Sequence, residues 1–306
     1  MSDTTATSGV AESATPKAPS KLMRFLGSLA LIRESWVGMI GALIVLFWVV
    51  VAIFAPMLAP FDPLATLQPF APPGTEFAGN DTAAAGVFYL GTDHLGRDVL
   101  SRIIFGSRTV LFYAPIATVT AYTVGILMGL AAGYIGGWWD EILSMITNII
   151  LSFPVLVLYI LIITLIGPSG INIIIAITFA TGPTVMRIVR GLVLDLKNRD
   201  YVAAAQTRGE TPWRIMLVEI LPNARGPLIV DACLRLGYVI ITIGVLGFLG
   251  LGLPPPQPDW GGMINETRSM AMAFPYMTVY PCIAISSLIL GFNLLADGLR
   301  EISLRD

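Results

Sequence analysis

Charged positions are spread so unevenly along this chain that the gaps between them mark out its elements. No Asp, Glu, Lys or Arg falls between Glu34 and Asp62, between Arg108 and Asp140, between Glu141 and Arg187, or between Arg268 and Asp297. Three of these gaps each hold one apolar run of membrane-spanning length, Trp36–Leu58, Val110–Tyr134 and Met277–Leu295. The gap after Glu141 is 45 residues long, or about 68 Å as a helix, too long for one crossing of a ~30 Å hydrocarbon core. Gly167-Pro168-Ser169-Gly170 divides it into two predicted helices, Ile142–Ile166 and Ile171–Val189, and Pro154 is expected to kink the first. A further span over Gly226–Leu249 is interrupted by Asp231 and Arg235. The pattern predicts six transmembrane helices in an all-α integral membrane protein. Gly125, Gly129 and Gly133 repeat every fourth residue, either as a face for close helix contact or as ordinary tolerance of glycine in membrane helices.

Composition agrees with the pattern. Of the 306 residues, 55% are hydrophobic and 12% charged, where a soluble domain carries roughly 25% charged. Cys233 and Cys282 lie inside apolar runs and read as small buried hydrophobes. With three lysines and no basic patch, a nucleic-acid partner is excluded.

The placement of positive charge orients the bundle. Thirteen of eighteen Lys and Arg residues fall on one side, chiefly in the N-terminal tail and between Arg187 and Arg225; only Arg97, Arg102, Arg108 and Arg268 fall opposite. The rule that positive loops stay inside places both termini in the cytoplasm. Residues 1–34 then form a cytoplasmic tail, mostly disordered, and 35–58 the first span, retained as an anchor. Residues 59–108 form an external segment, 109–297 a five-helix core containing a cytoplasmic loop at 190–225, and 298–306 a short cytoplasmic tail. Trp36, Trp138, Trp139 and Trp260 fall near span ends, as interface anchors do.

Several chemistries are absent. No lysine follows a glycine, so there is no P-loop, and the single histidine, His94, rules out an HExxH zinc site. No metal site is expected, and no catalytic residues. His94 with Asp93, Arg97 and Asp98 reads as a capped helix start, in which a carboxylate accepts hydrogen bonds from free amide groups. Asp231 and Arg235, one helical turn apart, can pair; they form either a structural ion pair in the bundle or a polar element of a substrate path.

Two segments carry a family resemblance. In the stretch from Asp200 to Pro222, Ala204, Ala205, Gly209, Leu221 and Pro222 fall where the EAA loop of permease subunits in bacterial ABC importers has matching residues, while Ala203 stands at its usual acid and Glu219 at its usual isoleucine. Upstream, Leu90–Arg108 resembles the signature of dipeptide/oligopeptide-type permeases at Gly91, Asp93, Leu95, Gly96, Arg97, Asp98, Ser101, Arg102 and Gly106. Of the two paired permeases of such systems, it resembles the one with a single external segment after its first span.

The resemblance implies the type I ABC importer (MetI-like) transmembrane fold in a bacterial inner membrane. It implies a second homologous permease, two cytoplasmic ABC ATPases that carry ATP and Mg, an external substrate-binding protein, and no cofactor on this chain. A coupling helix near Tyr201–Trp213 would meet an ATPase. With Ala203 at the acidic position, docking would rest on packing of Ala204, Ala205 and Trp213, or on an acidic anchor from Glu210 or Asp200. Peptides are the implied substrate; nickel chelates, glutathione and opines are alternatives within the family. An ion-gradient-driven secondary transporter and a membrane scaffold without transport are the alternatives outside it.

Overall fold

The computed structural model describes residues 35–80 and 83–303. The tail at 1–34 and the last three residues lie outside the described residues. Ser35 caps helix α1 (Trp36–Ile53), its hydroxyl accepting from the Gly38 amide at 3.3 Å. A bend at Phe54 leads into the short α2 (Ala55–Leu58). Residues 59–98 wrap over one end of the bundle. They contain a small antiparallel hairpin, β1 (Thr75–Phe77) with β2 (Gly86–Phe88), built around Phe61, Phe77 and Phe88. The charge pattern gives no hint of this hairpin, because three-residue strands are too short to show alternation.

Helix α3 (Val99–Leu130) starts eleven residues before the apolar run that predicted it. Asp98 caps it by accepting from the Ser101 amide at 2.7 Å, and Arg102 and Arg108 ride inside its first turns. A π-helical turn, Ala131–Ile135, and two glycines with positive φ, Gly136 and Gly137, lead into α4 (Gly137–Leu151). The expected kink at Pro154 is a full break: α4 and α5 (Val155–Ile166) meet at 91°. Proline has no amide hydrogen and pushes its predecessor out of helical geometry. Neither half alone matches a ~30 Å core. Among the described residues, five helices are long and apolar enough to cross a membrane, and the bent pair makes a sixth where its two halves count as one broken span.

Helix α6 (Gly170–Leu196), capped by Ser169, runs parallel to α3. The glycine repeat is a close-contact face: a Cβ on Gly125, Gly129 or Gly133 would come within 2.5, 2.6 and 2.7 Å of the Cβ of Val185, Val189 and Val193 on α6. The segment expected as a long loop is mostly helix. It holds α7 (Asp200–Thr207), then α8 (Pro212–Arg214), a π-helical turn (Ile215–Ile220) and α9 (Leu221–Phe248) without interruption. The fifth span thus begins near Pro212 rather than Gly226. The wider turn sits just ahead of Pro222, where a regular helix would lose a hydrogen bond and meet the ring.

Helix α10 (Trp260–Thr267) lies across the end opposite the arginine-rich loop, and α11 (Tyr276–Ser303) packs on α1 and α9. One core cluster runs through the bundle centre with Ile103, Ile163, Ile177, Val239 and Leu288. A second, with Val189, Val193, Val202, Ala205, Ile215 and Ile220, fastens α7 and the π turn to α6. Two expectations fail here. Trp260 is fully buried against Trp48 rather than anchored at an interface, whereas Trp36, Trp138 and Trp139 are exposed. Cys282 is exposed and Cys233 only half-buried, because both lie on bundle faces rather than in the centre.

Candidate functional site

At the arginine-rich end, α7 forms an elbow between two long helices. Asp200–Thr207 is helical through its alanines, and Gly209 closes it with φ of +74°. The Gly209 amide donates to the Gln206 carbonyl at 2.9 Å and the Glu210 amide to the Ala205 carbonyl at 3.2 Å. That pair of bonds is the glycine-dependent helix ending in which a left-handed residue follows the last turn. Val202 and Ala205 are buried, while Ala203, Ala204, Thr207 and Trp213 face outward.

The expected docking set therefore splits. Ala204 and Trp213 are available to a partner, and Ala205 is not. Of the two acidic alternatives, Glu210 is already engaged by Arg208 at 2.8 Å and Arg214 at 3.4 Å, whereas Asp200 is exposed. Leu221 is half-buried and Pro222 exposed, both within the helix that leaves the elbow.

Two contacts near the elbow were not foreseen. Arg190 grips Asp140 with two hydrogen bonds of 2.5 and 2.7 Å, and Arg187 donates to Asn148 at 2.7 Å, tying α4 to α6. The signal available was a charge at each edge of the longest gap, Asp140–Glu141 and Arg187–Arg190.

Deep in the bundle, Asp231 and Arg235 do pair, Nε to Oδ2 at 2.8 Å. The Tyr122 hydroxyl donates to the same carboxylate oxygen, and Arg235 Nη1 donates to Thr184 at 2.8 Å. The pair thus joins α3, α6 and α9. A charged pair at membrane depth persists when each member has a polar partner.

At the opposite end, the Leu90–Arg108 segment builds a buried charge network. Asp93 accepts from the Leu95 and Arg97 amides, both at 2.9 Å, and pairs with Arg97 Nε at 2.6 Å. Arg97 and Arg102 converge on Glu266 of α10 at 2.5 and 3.3 Å, and Arg102 lies 3.7 Å from Asp93. The Ser101 hydroxyl accepts from the Phe61 amide at 3.1 Å. Gly106 lies under Trp260, whose indole would be 2.6 Å from a Cβ there. Gly91 and Gly96 take positive φ in tight turns, and Leu95 is exposed. Among the described residues no group of three potential metal ligands occurs.

Burial raises the Asp98 carboxyl above its usual range, opposed by hydrogen bonds from Ser101. Asp259 is pushed up to about 6 by burial, against hydrogen bonds from the Gly262 and Gly261 amides and the charge of Arg102; among the described residues its Oδ1 has no hydrogen-bond partner. The folded value lies above the ordinary 3.8, so folding favours the neutral acid. That stabilisation is complete below about pH 4 and is lost as pH rises through about 6. The melting temperature of the detergent-solubilised protein should therefore fall more steeply between about pH 4 and 7 than that of Asp259→Asn, which keeps a capping side chain. Parallel curves for the two proteins would remove Asp259 as the cause.

A polytopic helical bundle with a helical elbow at one end and a polar junction at mid-membrane defines a membrane transport domain. The chain belongs to the binding-protein-dependent transport system inner membrane component family, which residues 125–305 match. Residues 31–73 match the N-terminal TM domain of oligopeptide transport permease C. It is 37% identical over 265 residues to a dipeptide transport system permease protein of Haemophilus influenzae, covering 86% of this chain and 88% of that one. A di/tripeptide transport system permease protein of Pseudomonas aeruginosa is 37% identical over 285 residues, 92% and 91% of the two chains. A glutathione transport system permease protein of Pectobacterium atrosepticum is 34% identical over 276 residues, 88% and 89%. The type I permease fold and the multi-pass inner-membrane location follow from family and spans together. The family is one of transport permeases, not enzymes.

Proposed function

We propose that this chain is one of two paired permeases of an ATP-driven importer for peptides or a related small solute such as glutathione. A second, homologous permease completes the path, and an external binding protein delivers the solute. Two ATPase subunits hold ATP and Mg on the cytoplasmic side and contact the elbow at residues 201–213. Both termini are cytoplasmic, because the arginine-rich end is the inner one. The observation that carries this reading is the elbow itself, a short helix closed by Gly209 and seated on α6 through Val202 and Ala205, with Ala203, Ala204 and Trp213 outward. Closure of the ATPases on nucleotide would shift the elbow and, with it, the balance between inward and outward arrangements of the bundle.

Reconstituted with its partners, the permease should accumulate alanyl-alanine only when ATP is inside the ATPase compartment. Uptake that follows an ion gradient without ATP would count against the importer. At the elbow, docking is apolar, and Ala203→Glu adds a carboxylate on its outward face. Co-purification of the ATPases should tighten, by about 1.5–3 kcal/mol if a charge-assisted bond forms. Weaker binding would mean that the ATPase groove is fitted to alanine.

A further inference from the structure

Helix α9 carries polar side chains along one narrow face. At 3.6 residues per turn, Asp231, Arg235, Tyr238 and Thr242 fall within about 60° of arc and span about 16 Å along the axis. Their exposure is unusual for a membrane helix: Tyr238 is 67% exposed, and the other three are part-exposed. Arg235 lies about 20 Å along the helix from its Phe248 end, well inside a hydrocarbon core. Ionisable and polar groups at that depth face a bundle interior or a water-filled cavity, not lipid.

The surroundings prepare Arg235 to bind rather than merely to be neutralised. Asp231 holds its Nε and Thr184 its Nη1, which fixes the plane of the guanidinium. The Tyr122 hydroxyl lies beside the guanidinium as well, and the Arg235 side chain still keeps 18% of its surface exposed. A fixed, part-exposed guanidinium matches a carboxylate. Nearby, the Tyr159 side chain on α5 is buried, with its hydroxyl 3.4 Å from Thr181 on α6 and beside Thr242, so polar groups of three helices meet behind the stripe. The hydroxyls of Tyr238 and Thr242 suit the amides of a short peptide.

We propose that Arg235, Tyr238 and Thr242 form a peptide-contact stripe in the translocation path, where Arg235 receives the substrate's C-terminal carboxylate. This rests on the importer reading above. Because Asp231 already offsets most of the Arg235 charge, the site holds its guest weakly, as a station for passing solutes must.

The test uses the complete importer in proteoliposomes, in a Cys233→Ala, Cys282→Ala background. Tyr238→Cys and Thr242→Cys should react with a charged methanethiosulfonate at least about tenfold faster than Val119→Cys, which is exposed on the apolar face of α3. Adding ATP and binding protein loaded with alanyl-alanine should change that rate. Rates equal to Val119→Cys in every nucleotide state would mean that lipid or the second permease covers the stripe, and would overturn the proposal. In parallel, Arg235→Gln should retain ATP hydrolysis but lose at least about tenfold in alanyl-alanine uptake, the scale of one charge-assisted bond. Uptake within about twofold of the parent would also overturn it. If Arg235→Gln does not assemble, the labelling contrast alone decides. Failure of the parent importer to need ATP strikes the importer reading instead, and the labelling contrast is read independently of it.

Discussion

Replacing Arg102 with methionine should destabilise the folded bundle by about 3–5 kcal/mol, the range for removing one member of a buried charge network. Arg102 is 2% exposed and stands between Asp93 and Glu266, both of which it shares with Arg97. Without it, two carboxylates remain with one guanidinium, in surroundings already dry enough to raise Asp98 and Asp259. Methionine fills much of the volume, so the loss reports charge rather than a void. Arg199→Met is the natural control, because its 3.7 Å pair with Asp195 is solvent-exposed and is worth under about 1 kcal/mol. Thermal denaturation in detergent, with the yield of monodisperse protein, measures both. If the two variants melt together, the network does not hold this end of the bundle. Adding Glu266→Gln to Arg102→Met should recover part of the loss, since it removes a carboxylate left short of partners.

Trp260→Ala should cost a similar amount, about 3–5 kcal/mol for a fully buried tryptophan. The indole touches two neighbouring helices at once. It lies edge-on to Trp48 of α1 at 4.9 Å between centroids, sits against Gly106 of α3, and donates from Nε1 to the Ile103 carbonyl at 2.9 Å. That carbonyl sits inside a helix and already receives a backbone bond, so the cost comes chiefly from lost packing. Trp260→Phe should therefore recover most of the stability, although it cannot donate. Equal losses for alanine and phenylalanine would instead place the energy in the hydrogen bond. The loss should also loosen α10, whose N-terminal cap Asp259 is the adjacent residue.

Charge gaps located the spans because hydrocarbon tolerates few ionised side chains, and that constraint acts on every residue of a crossing. It acts weakly at the ends. Val99 begins a helix that Arg102 and Arg108 had hidden: Arg102 is held inside the protein, and Arg108 is exposed but lies only nine residues from the helix start. Pro212 likewise begins a helix that Arg214, Glu219 and Arg225 disguised as a loop. Gly209 and Asp98 were readable, since each does a local job that its residue type suits. Trp260 was misread because apolar residues near a span end look alike whether they meet headgroups or a neighbouring helix. Glu210 was an open candidate, but its engagement by Arg208 and Arg214 depends on how the elbow folds back. The polar face of α9 needed the structure, for only exposure separates Tyr238 from a core tyrosine.

The uninterrupted run from Pro212 to Phe248 has a mechanical meaning. From the elbow to Arg235 it measures about 35 Å, so a tilt of only about 5° pivoting at the elbow sweeps the guanidinium sideways by about 3 Å. Three ångströms is enough to exchange one set of hydrogen-bond partners for another. On the proposed reading, in which an ATPase meets the elbow, the helix that runs on through the wide turn at Ile215–Ile220 would act as a lever, carrying a small stroke at its base to a larger one at Arg235.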